Sequence, residues 1–136
     1  MSVETVKTYL KSFGRDEDVQ EFPVSSATVE LAAAALSVEP ARIAKTLSFA
    51  DGDGCLLVVT AGDQKIDNAK FKAAFGMKAK MLPAGDVLRL TGHAVGGVCP
   101  FALPEGVRVT LDMSLRRFPL VYPACGSANS AIGLTC

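Results

Sequence analysis

Tryptophan is absent from this 136-residue chain, tyrosine occurs twice, and His93 is the single histidine. One imidazole cannot furnish a zinc ligand set, and the four cysteines (Cys55, Cys99, Cys125, Cys136) include no C-x-x-C pair. No metal is expected, and four scattered cysteines are too few for a secreted disulfide framework. No apolar run approaches the ~18 residues that a membrane-spanning helix needs. Glu4, Lys7 and Lys11 interrupt the first thirteen residues, where a signal peptide would be apolar. A cytoplasmic location without a membrane partner is the expectation. The phosphate-cradling G-x-x-x-x-G-K-[ST] and G-x-G-x-x-G loops are missing, so no nucleotide cofactor is expected. The G-x-S-x-G elbow that presents a serine nucleophile is missing as well.

An excess of either charge is also lacking, with 14 basic and 14 acidic side chains. The halves nevertheless differ. Residues 1–68 carry six basic and eleven acidic side chains, and residues 69–136 carry eight and three. Lys70, Lys72, Lys78 and Lys80 fall within eleven residues of the positive half. Such a cluster reads either as a solvated face or as a side that meets nucleic acid phosphates.

What is present is the composition of a globular protein: 49% hydrophobic and 21% charged residues, with a length that suits one domain spanning 1–136. Val3, Val6, Leu10 and Phe13 recur at helical spacing, with Ser2 placed to cap the start and Gly14 past the end. Val19–Val24 reads as an edge strand because it contains Pro23. Ser25 and Ser26 are placed to open an alanine-rich helix that runs to Leu36. Pro40 suits a short helical turn. Residues 46–49 and 55–60 read as strands joined by Asp51-Gly52-Asp53-Gly54, a hairpin signature. Asp67 can cap a helix closed by Gly76, residues 77–81 are short and extended, and Pro83 starts a helix closed by Gly92. Strands are expected at 108–111, 120–122 and 130–134, with a helical turn at 114–118. Short strands interleaved irregularly with helices imply an α+β fold with a mixed sheet.

Three features could carry chemistry. Lys45 opens an apolar strand, where its ammonium can either snorkel or serve as a point charge for phosphate or a developing oxyanion. Gly96-Gly97-Val98-Cys99-Pro100 is a glycine-rich loop whose backbone can approach a ligand closely, although a plain tight turn uses the same residues. His93 and Cys99 lie six residues apart and could form a thiol–imidazole pair, against the plainer reading of Cys99 as a small buried hydrophobe.

Lys45-Thr46-Leu47, the loop from Thr91 to Pro100 with its G-x-x-x-P at Gly96–Pro100, and the stretch from Tyr122 to Asn129 occur in order across nearly the whole chain. In these the chain resembles the YbaK/prolyl-tRNA synthetase-associated family of aminoacyl-tRNA editing domains. The resemblance implies a mixed, barrel-like sheet flanked by helices, with a further helix beyond Cys136. It implies a trans-acting deacylase that hydrolyses the ester of a small mischarged amino acid (cysteine, alanine, serine or threonine) on tRNA, chiefly proline tRNA. The implied partners are the aminoacyl-tRNA 3′ acceptor end and prolyl-tRNA synthetase, without DNA. Lys45 would hold the terminal adenosine and its phosphates. The Gly96 N–H would place the scissile carbonyl or the water, its missing side chain leaving room for the ester. Thr46 tilts the substrate towards cysteine, whereas Gly126-Ser127-Ala128-Asn129 departs from long cysteine-directed members. Further substrate-binding positions are expected at Phe22, Ser25, His93, Gly97, Cys99, Pro100, Gly126, Ser127 and Asn129. A non-catalytic module that binds the tRNA 3′ end or aminoacyl-adenosine is the alternative, with a Cys99/His93 thiol enzyme as a third reading.

Overall fold

The computed structural model describes residues 3–136. The proposed Ser2 cap lies outside them. The elements are α1 (Val3–Lys11), β1 (Gln20–Glu21), α2 (Val29–Leu36), β2 (Ile43–Asp51), β3 (Gly54–Ala61), α3 (Asn68–Phe75), α4 (Ala84–Thr91), β4 (Arg108–Leu111), β5 (Tyr122–Pro123) and β6 (Ser130–Ala131), with 3-10 turns at Asp16–Asp18, Pro40–Arg42 and Met113–Arg117. The main sheet has the order β4-β3-β2-β5. Its two central strands are antiparallel and each outer strand is parallel to its neighbour. A two-stranded ribbon, β1-β6, lies apart from it. The result is the expected α+β architecture, a curled half-barrel sheet flanked by helices.

The hairpin forms as its turn chemistry dictates. Gly52 takes φ +59 in a two-residue loop, and eight residue pairs follow from Asp51↔Gly54 to Ala44↔Ala61. β3 is the middle of the sheet, and Cys55 to Ala61 are all buried. Beneath one face, Phe49 and Phe71 pack with ring centroids 4.8 Å apart, and Phe71 and Phe75 with centroids 4.7 Å apart. Phe49 and Phe71 are buried and each stabilises the fold by roughly 1.5–3 kcal/mol, while Phe75 is partly buried beside them. Asp67 caps α3 by accepting the Lys70 N–H at 2.9 Å, and Gly76 and Gly92 end α3 and α4 in the left-handed conformation.

Several boundaries differ from the sequence expectation, each for a non-local reason. Ser25 and Ser26 do not open α2; Thr28 does, its Oγ1 accepting the Leu31 N–H at 3.2 Å. The segment before it is held extended, because the Ser26 N–H donates to the Ala128 carbonyl at 2.6 Å and the Phe22 N–H to the Asn129 carbonyl at 2.8 Å. The strand expected at 19–24 shrinks to two residues, since Pro23 has no N–H to continue the ladder. The strand expected to start at Thr46 begins at Ile43, which places Lys45 inside it. β6 ends at Ala131, and beyond it Val121 and Leu134 exchange both backbone hydrogen bonds at 2.9 and 3.0 Å. Phe13 lies past the end of α1 and is exposed, against the Tyr9 ring.

Gly62, just after β3, is packed too closely to admit a side chain: a Cβ there would lie 2.1 Å from the Pro40 carbonyl oxygen and 2.8 Å from Val29 Cγ1. Gly62→Ala should therefore destabilise by about 2 kcal/mol or more. Gly85→Ala, in α4 with nothing within 4 Å of the added methyl, should be neutral or stabilising by up to ~1 kcal/mol. Urea unfolding midpoints check both, and an unchanged midpoint for Gly62→Ala would contradict this packing.

Candidate active site

β2 is paired with β3 from Ala44 to Asp51, but its other edge is interrupted. β5 covers only Ile43 and Ala44. Further along, the Leu82 N–H donates to the Ser48 carbonyl at 3.1 Å and the Ala50 N–H to the Lys80 carbonyl at 2.8 Å. Backbone groups along a strand alternate between its two edges, so Thr46 shares the outward edge with Ser48 and Ala50. Among the described residues no strand meets it there. A cavity of about 480 Å³ occupies this gap, walled by the start of α2, residues 81–87, the 95–98 loop and residues 122–131.

The lining is mostly small and apolar, with a few polar groups set into it. Lys45 reaches it from β2, and its Nζ donates to the Gln64 carbonyl. The lysine has no carboxylate partner among the described residues, so its charge is not neutralised. Thr46 Oγ1 and Ser26 Oγ belong to cavity-lining residues and are buried without a hydrogen-bond partner. Buried hydroxyls are rarely left so, and both oxygens are closed off from water, so a ligand would meet them only once their side chains turn. Gly96 lines the same cavity at φ +94, and its N–H has no backbone acceptor among the described residues. An added Cβ at Gly96 would meet Ala27 Cβ at 3.3 Å and Ala128 Cβ at 3.6 Å. Glycine is required there by backbone conformation and by those neighbours, more than by clear space for an ester.

Of the twelve residues expected from sequence, Lys45, Thr46 and Gly96 line the cavity, and the others do not. Gly97 packs the two loops together: a Cβ on it would lie 2.7 Å from Ser127 N, and its carbonyl accepts the Gly126 N–H at 3.1 Å. Asn129 Nδ2 donates to the Phe22 carbonyl at 3.0 Å, and Ser127 Oγ lies 2.6 Å from Ser130 Oγ. The Ser25 hydroxyl accepts the Ala27 N–H. Phe22, Ser25, Gly126, Ser127 and Asn129 thus hold the wall in place from behind. Pro100 closes the loop outside the cavity.

His93 and Cys99 come together as the spacing allowed, with Nε2 and Sγ 3.5 Å apart, but both are fully buried in the core. His93 Nε2 also lies 2.7 Å from the Phe101 carbonyl, an acceptor only, so Nε2 carries the proton and Nδ1 is left without a partner. That tautomer offers Cys99 no lone pair. Desolvation pushes the Cys99 thiol up to about 12 and lowers His93. The pair is a poor nucleophile and base in this setting.

The comparisons with known proteins agree with this geometry. Residues 24–135 match the sequence profile of the aminoacyl-tRNA editing domain. The chain is 54% identical over 136 residues to the uncharacterized protein YwhH of Bacillus subtilis (strain 168), covering 99% of this chain and 87% of that one. It is 38% identical over 91 residues to a proline–tRNA ligase of Lysinibacillus sphaericus, covering 65% of this chain and 16% of the ligase. A solved structure proposed to be a trans-editing enzyme for prolyl tRNA synthetase superposes with a TM-score of 0.88 at 29% identity, over 98% of this chain and 85% of that one. The chain belongs to the aminoacyl-tRNA editing domain family.

Sequence reasoning missed part of the editing domain's cavity. In sequence Ser26 reads as a helix cap, and Val29, Ala32, Leu82 and Val98 are apolar residues that nothing local separates from core. An unpartnered hydroxyl is visible only once the fold has removed its alternatives.

The burial of three cysteines in the editing domain has a simple readout. Cys55, Cys99 and Cys125 are buried and Cys136 is exposed, so a thiol reagent at pH 8 should label one cysteine quickly in native protein and the rest only on unfolding. Fast native labelling of Cys99 would contradict the core placement and revive the thiol reading.

Proposed function

We propose that this editing domain is a trans-acting aminoacyl-tRNA deacylase. Its substrate is the ester of a small mischarged amino acid (cysteine, alanine, serine or threonine) on a tRNA, with proline tRNA first among them. The observation that carries the reading is the convergence of Lys45 and the Gly96 backbone on one cavity whose remaining lining is small and apolar. A hydroxyl or thiol of the bound amino acid would pair with Ser26 Oγ or Thr46 Oγ1 after a turn of either side chain, and a methyl finds the alanine and valine walls.

An aminoacyl ester is an activated bond, so hydrolysis needs alignment more than a strong nucleophile. Water adds to the ester carbonyl carbon, and the oxygen that takes the negative charge is placed against the Gly96 N–H. The tetrahedral intermediate collapses by breaking the bond to the ribose oxygen, which leaves as the tRNA hydroxyl after taking a proton; the free amino acid is released. Lys45 supplies a fixed cation for the terminal nucleotide's phosphate or ribose oxygens, and its bond to the Gln64 carbonyl holds the ammonium in place. Editing is useful because a synthetase pocket gains only about 1–3 kcal/mol from a methylene and cannot strongly reject a smaller side chain.

Lys45→Ala should lower kcat/KM for the mischarged tRNA by ~100-fold or more while the unfolding midpoint changes little, since loss of a charge-assisted contact acts on the bound states. Gly96→Ala should lower kcat together with a loss of ~1 kcal/mol or more in stability, because alanine is strained at positive φ. Cys99→Ser should keep turnover within about threefold, whatever it does to the midpoint through burial of a hydroxyl. Single-turnover deacylation alongside thermal melts checks all three. Full activity in Lys45→Ala, or abolition by Cys99→Ser in a folded protein, would overturn the mechanism. Tight tRNA binding with no turnover in the wild type would leave the binding module as the correct reading.

A further inference from the structure

The lysines singled out in sequence are not used by the cavity, and the fold sorts them. Asn68 to Met81 contains four lysines and no carboxylate. Lys70 and Lys72 are two residues apart on α3 and so point about 200° apart around the helix. Lys72 faces residues 78–79 across a surface concavity of about 360 Å³, lined by Asn68, Ala69, Lys72, Lys78 and Ala79. In the following segment Met77 and Ala79 pack inward on the Phe49–Phe71 cluster, which turns Lys78 and Lys80 to solvent on the other side. None of the three lysines is paired with a carboxylate among the described residues.

This surface is also held rigidly next to the cavity mouth. Met81 bridges Phe49, and backbone hydrogen bonds at Lys80 and Leu82 tie the segment to β2 on either side. Met81 and Leu82 then line the cavity, with Met81 exposed at its rim. Phe49 is four residues along β2 from Lys45, about 13 Å at ~3.3 Å per residue.

We propose that Lys72, Lys78 and Lys80 form a binding surface for an RNA sugar-phosphate backbone, receiving the acceptor arm upstream of the terminal nucleotide bound at Lys45. The proposal rests on the reading that the ester in the cavity is carried by tRNA. The concavity between Lys72 and Lys78 takes one phosphate between two ammonium groups, and Lys80 meets the next along the ribbon towards Met81. The surface reads no bases. It lowers KM and aligns the strand so that its end enters the cavity.

The test compares Lys72→Gln/Lys78→Gln/Lys80→Gln with a control of equal charge change elsewhere, Lys11→Gln/Lys70→Gln/Arg116→Gln. Two substrates are used, a mischarged proline tRNA and the same amino acid esterified to adenosine without phosphates, together with binding of uncharged proline tRNA over a salt series. The expected result is a loss of at least ~10-fold in kcat/KM on tRNA, mainly through KM, and a fall of about two to three in the slope of log affinity against log salt, for the first triple variant only. Hydrolysis of the adenosine ester should not change. Equal behaviour of the two triple variants on tRNA, while the wild type remains active, overturns the surface and leaves the deacylase reading intact. A wild type that hydrolyses neither ester but binds uncharged tRNA through these lysines overturns the deacylase reading and keeps the surface. Neither hydrolysis nor binding overturns both.

Discussion

The antiparallel ladder between β2 and β3 is the interaction on which the rest depends. Eight residue pairs hold β2 rigid along one edge, so the other edge can be left open at Thr46 without the strand giving way. Two short partners, β5 and the Lys80–Leu82 ribbon, cover that edge on either side of the gap. Everything else in the cavity is arranged around the opening. α2 closes it from one side and the 95–98 loop from another, while residues 126–129 brace the loop and the segment before α2. An open strand edge is normally a liability; enclosed within a cavity it becomes a row of donors and acceptors for a ligand.

The division of polar groups follows from this frame. The His93–Cys99 pair lies behind the loop in the core, where desolvation keeps the thiol protonated and the Phe101 carbonyl fixes the imidazole. Of the four buried side-chain polar atoms without a partner among the described residues, Thr60 Oγ1 and His93 Nδ1 lie in the core, whereas Ser26 Oγ and Thr46 Oγ1 belong to cavity-lining residues. A site that acts on an already activated ester needs few more.

Much of this was legible in the sequence where local chemistry decides the outcome. Gly52 makes the hairpin loop, Asp67 caps α3, and Gly76 and Gly92 end their helices as their residue types dictate. Lys45 and Gly96 stand in motifs that match a known family, and both line the cavity. Illegible were features set by distant chain. Residues 22–27 are extended because residues 128–129 bind them across a hundred positions, so Ser25 and Ser26 do not cap α2. β6 is two residues long because its partner β1 is, and β5 pairs only Ile43 and Ala44 of the nine-residue β2. Proximity of His93 and Cys99 in sequence allows their contact, and the plainer reading of Cys99 as a small buried hydrophobe is the one the core placement bears out. Gly97 and Gly96 are adjacent and look alike, yet one packs against Ser127 and the other faces the cavity.

The most direct test of the account is a deacylation panel with purified protein. Proline tRNA is charged separately with cysteine, alanine, serine, threonine and proline, and ester loss is followed with and without the protein. Faster loss of at least one of the four small noncognate esters, with prolyl-tRNA spared, is the predicted result. No acceleration of any of those four, from a protein that is folded and has the substrate bound, would contradict the claim that this cavity hydrolyses aminoacyl esters.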